Sequence, residues 1–356
     1  MWRDGWGQLK CLKGRFHVST SQEISIPWNK KRDLLLPCVI VIMNPNLLSI
    51  VIIFSMSLGI PAMVFQSWDE VPPDCKKFFL NGIPPKYRNP GKGVKIICQK
   101  YQNLFHFVTL YDTRNRLALY SAYKVNPGSG TRPNYWMVEL GGLGTPDKRC
   151  KLGDDMDPSG SFNIPLRPHL STPDRSCLPV SQAINEDYAN SNYDRGHLNP
   201  VMAQNTQVAK EATFTLTNVV PQVKEFNNGK WQNAEEKLSI YAKECKKRGG
   251  ETFAVTGAVK GRYSIGCGED CGSWKPPKSI KPNKNKHRVN IPTMMWSAAC
   301  CRINGEVDEE PFVFWGANKK QSTIQMKNTW EDLHKFENDI LQPDASPRVK
   351  VKIFEE

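Results

Sequence analysis

Asp194-Arg195-Gly196-His197 sets an acid, a cation, a residue without a side chain and an imidazole in immediate succession. His197 is one of six histidines in the chain, and an imidazole titrating near neutrality suits a general base. The Arg195 guanidinium can contact two phosphate oxygens at once. Asp194 could orient the imidazole or hold a metal-bound water, and Gly196 would let the backbone turn so that its neighbours converge. Hydrolysis of a phosphodiester asks for such a set: a base for water, a cation for charge on pentacovalent phosphorus, and a proton for the leaving oxygen. Taken alone, the tetrad reads equally as a polar turn.

A second segment follows about twenty residues later: Thr217-Asn218-Val219-Val220-Pro221-Gln222, then Phe226-Asn227-Asn228-Gly229-Lys230-Trp231, then Glu235. If Asn227 and Glu235 are both helical they stand about 12 Å apart along the axis. That is too far for two direct ligands of one ion. It fits one direct ligand and one carboxylate acting through water. Asn227 reads also as a helix N-cap, and Asn228 competes with it as a ligand. Glu235 could be an exposed helix acid beside Glu236. Trp231 reads as core.

The elements that must carry these residues follow from apolar patterning. Residues 105–111 and 117–123 read as strands around a turn at 112–115. Residues 135–140 read as a third strand, and 141–180, rich in Gly, Pro, Asp and Ser, as a long irregular connection. A short apolar strand covers 215–220. Trp231, Ala234, Leu238, Tyr241 and Cys245 recur at helical spacing, which predicts a helix over 228–247 ending in Lys246, Lys247 and Arg248. Further strands are expected at 253–259, 289–291 and 294–301. Thr329 can cap a last helix carrying Leu333, Phe336 and Ile340 on one face, and 349–354 reads as an edge strand.

Composition adds a partner class. The formal net charge is +13, which points to a polyanion, nucleic acid foremost. Five lysines and one arginine fall between Lys275 and Arg288, among three prolines. That spacing excludes a regular helix and suggests a basic arm on which Lys284, Lys286 and Arg288 touch phosphates. The eleven cysteines are dispersed, which favours disulfides over a zinc site. Nine follow the apolar segment, so at least one thiol is free, buried or paired between chains. No charged residue lies between Leu34 and Trp68, and the densest apolar part, 47–60, has the length of a signal-peptide core. The organisation expected is an upstream extension over 1–42, a signal peptide or signal anchor over 43–66, and one domain over 67–356. The expected location is secreted, or lumenal or extracellular on an uncleaved anchor, which would be the sole membrane attachment.

Asp194–His197 followed by 217–235 resembles the DNA/RNA non-specific endonuclease family, whose active site is the ββα-metal, or His-Me finger, motif. Stretches 96–101, 109–113, 288–292, 295–298 and 351–355 carry a closer resemblance to the vertebrate endonuclease domain-containing 1-like proteins. The resemblance implies an α+β fold with a mixed or antiparallel central sheet flanked by helices. It makes His197 the general base. Asn227 becomes the one protein ligand of a divalent cation, usually Mg²⁺, with Mn²⁺ or another divalent ion as alternatives. Glu235 would hold a water of that ion, Asn218 would orient His197 or a neighbour, and Arg195 would bind phosphate or brace its loop. The resemblance also implies a further arginine upstream of the signature, which the sequence does not place. The implied activity is hydrolysis of DNA and RNA with low sequence preference and no small-molecule cofactor, compatible with a homodimer. The alternative is a catalytically silent nucleic-acid or polyanion-binding protein on the same scaffold.

Overall fold

Runs of aromatic and β-branched residues with few breaks build a nine-stranded antiparallel sheet. The computed structural model describes residues 39–42, 51–54, 64–86, 93–102, 104–139, 156–157, 181–189, 191–265, 288–308, 310–341 and 352–354. The chain divides into two units, Met1–Gly59 and Ile60–Glu356. In the first, β1 (Val39–Ile42) pairs antiparallel with β2 (Val51–Phe54). Residues 64–66, the end of the expected signal segment, are described in the second unit, where Val64–Phe65 form a strand; the rest of the expected extension and signal segment lies outside the described residues.

In the second unit the sheet takes up β3 (Val64–Phe65), β4 (Val94–Tyr101), β5 (Leu104–Asp112) and β6 (Leu117–Lys124). Three short pairs stand apart from it. They are β7 (Val138–Glu139) with β8 (Met156–Asp157), β9 (Tyr193–His197) with β10 (Val219–Val223), and β12 (Ser264–Ile265) with β13 (Val289–Asn290). The sheet continues through β11 (Glu251–Val259), β14 (Met294–Ile303), β15 (Glu306–Val307), β16 (Phe312–Ala317) and β17 (Ile324–Lys327). In space the order is β17-β16-β14-β11-β6-β5-β4-β3, with β15 paired to β14.

Helices cover both faces, because successive side chains of a strand point to opposite sides. Phe314 meets Trp231, with ring centres 5.0 Å apart. Trp231 leads into α4 (Gln232–Lys247), which buries Ala234, Leu238, Ala242 and Cys245. On the other face Trp315 and Trp296 meet Phe336, at 4.7 and 6.0 Å. Phe336 belongs to α5 (Trp330–Asp339), capped by Thr329 as the sequence predicts. Three short helices complete the numbering: α1 (Pro73–Lys76), α2 (Asn185–Tyr188) and α3 (Gln207–Ala212). The fold is α+β.

The same alternation sorts two adjacent cysteines. Cys301 faces α4 and forms a disulfide with Cys245, while Cys300 points away and is a buried free thiol. A second disulfide, Cys75–Cys98, ties α1 to β4. Cys150, Cys177, Cys267 and Cys271 lie outside the described residues.

Two long strands carry no clear signal in the sequence. In β4, Gln99 and Lys100 interrupt the apolar pattern, yet both are buried. Gln99 is accommodated because its amide donates to Thr109 Oγ1 and Thr217 Oγ1 at 3.2 and 3.0 Å. In β16, Gly316 interrupts the aromatic run. The expected strand at 135–140 shrinks to 138–139. At the C-terminus Lys352 bridges Lys86, with Ile353 and Phe354 buried behind it.

Candidate active site

The signature lies on a strand, not on a turn. β9 and β10 run antiparallel with His197 opposite Val219, Gly196 opposite Val220, Arg195 opposite Pro221 and Asp194 opposite Gln222. In this two-stranded ribbon Pro221, which has no N–H, is tolerated at an edge. A π-helical turn, Phe226–Trp231, then leads straight into α4. The expected helix over 228–247 therefore begins as a π segment, a form that tends to occur at functional sites.

Gly196 serves close approach across the ribbon, in place of the expected backbone turn. A Cβ built there would lie 1.9 Å from Gln222 Oε1 and 2.6 Å from its Cβ, and Gln222 is fully buried. Gly196→Ala is expected to cost about 3 kcal/mol of stability, the upper range for overpacking. Urea denaturation checks this; an alanine variant as stable as wild type would show that Gln222 can swing aside.

His197 sits in an aromatic cage. Its ring centre is 5.2 Å from Trp136 and 4.9 Å from Phe214, and those two rings are 4.9 Å apart. Only 8% of the residue is exposed. Burial first, and then the charge of Arg132, hold its pKa down at about 3. The imidazole is therefore neutral at physiological pH, as a base must be. Arg132 lies over the Phe214 ring at 5.3 Å.

Arg195 is held between rings. Its guanidinium lies 5.4 Å from Trp136 and 5.2 Å from Tyr188, and donates to the Asn185 carbonyl at 3.2 Å. Of the two roles expected for it, this placement serves bracing of the strand. Asn218 does not orient the imidazole. Its Oδ1 accepts from Asn199 N and Ser121 Oγ, and its Nδ2 donates to the carbonyls of Asn199 and Thr213. These four bonds use the whole carboxamide and fix the backbone that follows His197.

The π turn brings the asparagines to Asp194. Asn227 Nδ2 donates to Asp194 Oδ2 at 3.1 Å and Asn228 Nδ2 to the same oxygen at 2.6 Å. Asn228 also donates to the Lys224 carbonyl, at 3.1 Å, and is exposed, whereas Asn227 is half-buried. Glu235 accepts from Trp231 Nε1 at 2.9 Å. Burial pushes its pKa up to about 8, against the Trp231 hydrogen bond and the Arg132 charge. Arg132 thus acts on both His197 and Glu235. Sequence reasoning missed it, along with Trp136 and Phe214. Arg132 stands in an unpatterned loop pinned to α3, where Thr131 N and Oγ1 donate to Gln207 Oε1 at 3.0 and 3.2 Å.

Arg288, expected to touch phosphate, is engaged elsewhere. It forms a two-pronged ion pair with the fully buried Asp187, Nη2 donating to Oδ2 at 3.1 Å and Nε to Oδ1. A buried carboxylate needs such a partner. Arg116, in the turn before β6, donates to the Arg288 carbonyl at 3.1 Å. Lys284 and Lys286 lie outside the described residues.

The family model for DNA/RNA non-specific endonucleases matches residues 167–343, a span that takes in β9, β10, the π turn and α4. Over that span, just under half of its length, the chain is similar to the DNA/RNA non-specific endonuclease family. The human endonuclease domain-containing 1 protein is 29% identical over 234 residues, 65% of this chain and 39% of that protein. The human mitochondrial nuclease EXOG is 33% identical over 106 residues, 29% of this chain and 27% of that protein. The chain spans less than half the length of these relatives. The solved structure of the EndoG/EndoGI complex matches with a TM-score of 0.35 at 20% identity, covering 66% of this chain and 78% of that one.

The residues present here suit a hard divalent cation. Both asparagine amides turn their nitrogens to Asp194, which leaves the carbonyl oxygens facing away from it. Neutral oxygen donors of this kind suit Mg²⁺, which keeps most of its waters. Among the described residues no group of three or more His, Cys, Asp and Glu could hold an ion, so a site here would be built from few protein oxygens and many waters.

Proposed function

We propose that this chain is a Mg²⁺-dependent endonuclease that hydrolyses DNA and RNA with little sequence preference. The observation that carries this reading is the neutral, caged imidazole of His197 on the same ββα unit as an asparagine oriented by Asp194. Nε2 is the buried ring nitrogen, which leaves Nδ1 to take a proton from the attacking water. The oxygen of that water bonds to phosphorus as the P–O3′ bond breaks, giving a 5′-phosphate and a 3′-hydroxyl. Arg132, exposed beside the cage, meets the charge that develops on the phosphoryl oxygens. Asn227 would hold the cation, and Glu235 would accept from a water of its shell. Bound there, Mg²⁺ supplies charge neutralisation and a proton source for the leaving oxygen.

The same reading covers location. A secreted or lumenal protein is supported by the two disulfides, which persist in oxidising compartments. Among the described residues no helix is long and apolar enough to cross a membrane.

Incubating the full chain with plasmid DNA and with RNA, in Mg²⁺ and then in EDTA, tests the activity. Cleavage of both polymers in Mg²⁺ alone is the expected result. Binding without cleavage in either condition would replace this reading with that of a silent polyanion-binding protein.

A further inference from the structure

One end of the sheet gathers basic loops that no step of the proposed chemistry uses. Asn318, just after β16, is the rivet. Its Oδ1 accepts from Val223 N at 2.9 Å, and its Nδ2 donates to the carbonyls of Pro221 and Pro292 at 2.9 and 3.0 Å. The backbone of Asn318 donates to Thr293 O, and Thr293 N to Val259 O, both at 2.9 Å. The loop after β11 joins the same platform: Asn290 exchanges side-chain hydrogen bonds with the Gly261 backbone, at 2.9 Å each way, and Ile291 N donates to Tyr263 O at 2.9 Å. A Cβ on Gly261 would lie 2.1 Å from Ile291 O, so the loops meet backbone to backbone.

This platform presents cations and one ring to solvent. Lys224, Lys260, Arg262 and Lys319 are exposed and have no ion-pair partner among the described residues. Lys320, beside them, pairs with Glu225 at 3.0 Å. Tyr263 is 77% exposed, more than any other large apolar side chain among the described residues. The platform adjoins the catalytic unit, since Lys224 accepts on its carbonyl from Asn228, whose amide also reaches Asp194. Unpaired cations interleaved with an exposed aromatic ring are what a polynucleotide strand asks of a protein surface: charge for phosphates and a flat face for bases.

We propose that Lys224, Lys260, Arg262, Tyr263 and Lys319 form a track that holds the nucleic-acid strand beyond the scissile bond, with Tyr263 stacked on a base. The proposal rests on the endonuclease reading for its substrate, but its test separates the two. Binding of the full chain to a fluorescent single strand of about 20 nucleotides is measured by anisotropy in EDTA, across a salt series. The triple variant Lys260→Ala, Arg262→Ala, Lys319→Ala is expected to lower the slope of log affinity against log salt by about 2, close to 0.7 for each phosphate that is no longer neutralised. Tyr263→Ala is expected to weaken binding about tenfold with the slope unchanged, and Tyr263→Phe to restore it. Mg²⁺-dependent hydrolysis of the small diester bis(p-nitrophenyl) phosphate should be the same in all variants. Wild-type affinity and slope in both the triple variant and Tyr263→Ala would overturn the track, as would absence of wild-type binding. Binding that behaves as expected, in a protein that cleaves neither polymer nor diester, would overturn the endonuclease reading and leave the track standing.

Discussion

Replacing His197 by alanine is expected to lower the turnover number for plasmid cleavage in Mg²⁺ by about a thousandfold, the middle of the range for loss of a general base. KM should barely change, because the cage keeps the imidazole away from binding contacts. Initial rates against DNA concentration check both numbers; an alanine variant within tenfold of wild type would remove His197 from the chemistry. The depressed pKa adds a pH signature. With a folded-state value of about 3, the free enzyme does not lose its base as pH falls through 6.5, the usual histidine value.

Stability behaves differently. Below pH 6.5 the unfolded chain binds a proton at His197 that the folded chain does not, so unfolding is favoured increasingly as pH falls from 6.5 toward 3. His197→Ala removes that penalty. The stability gap between wild type and variant should shift in favour of the variant by roughly 2 kcal/mol between pH 7 and pH 5, from 1.36 kcal/mol per pKa unit. Urea denaturation at the two pH values measures it, and parallel curves would show that the cage does not hold the imidazole neutral.

Loss of the Asn227 carbonyl should be nearly as damaging. Asn227→Ala is expected to weaken Mg²⁺ binding about a hundredfold, and Asp194→Ala about tenfold, since loss of an orienting partner costs a ligand one to two orders of magnitude. Asn228→Ala should change affinity less than threefold. Its amide is divided between Asp194 and the Lys224 carbonyl, which makes it a brace for the turn. Isothermal titration of each variant with MgCl₂ reads these affinities without any need for turnover. Equal losses at Asn227 and Asn228 would mean that Asp194 presents both oxygens to the ion.

Much of the site is legible along the chain because it is local. Asn227, Asn228 and Trp231 fall within one turn of helix, and the spacing sets Glu235 about two turns beyond Asn227. The error at Asp194–His197 is also local in origin. Asp, Arg, Gly and His form few strands by propensity, and only the paired β10 makes an extended ribbon of them. Gly196 looked like a hinge because no sequence pattern shows Gln222 packed against its Cα.

Arg288 shows a second kind of error. A cation in a lysine-rich stretch reads as solvent-facing until Asp187, 101 residues away, is found buried against it. Asn218 orients a neighbour of His197, as one of its two expected roles has it, though its motif does not say that its four bonds go to backbone and Ser121.

By itself, the sequence determined which residue types could do the chemistry, the strand and helix that follow the signature, and the net positive charge. These depend on neighbours within a few positions and on summed composition. Tertiary structure alone decided that Cys301 and not Cys300 meets Cys245, that Arg195 is locked between rings while Arg132 stands beside the His197 cage, and that burial lowers the His197 pKa. Each of these is set by desolvation and by packing between residues far apart in the chain, as where positions 136, 197 and 214 converge. Such long-range packing leaves no periodicity for a linear reading to detect.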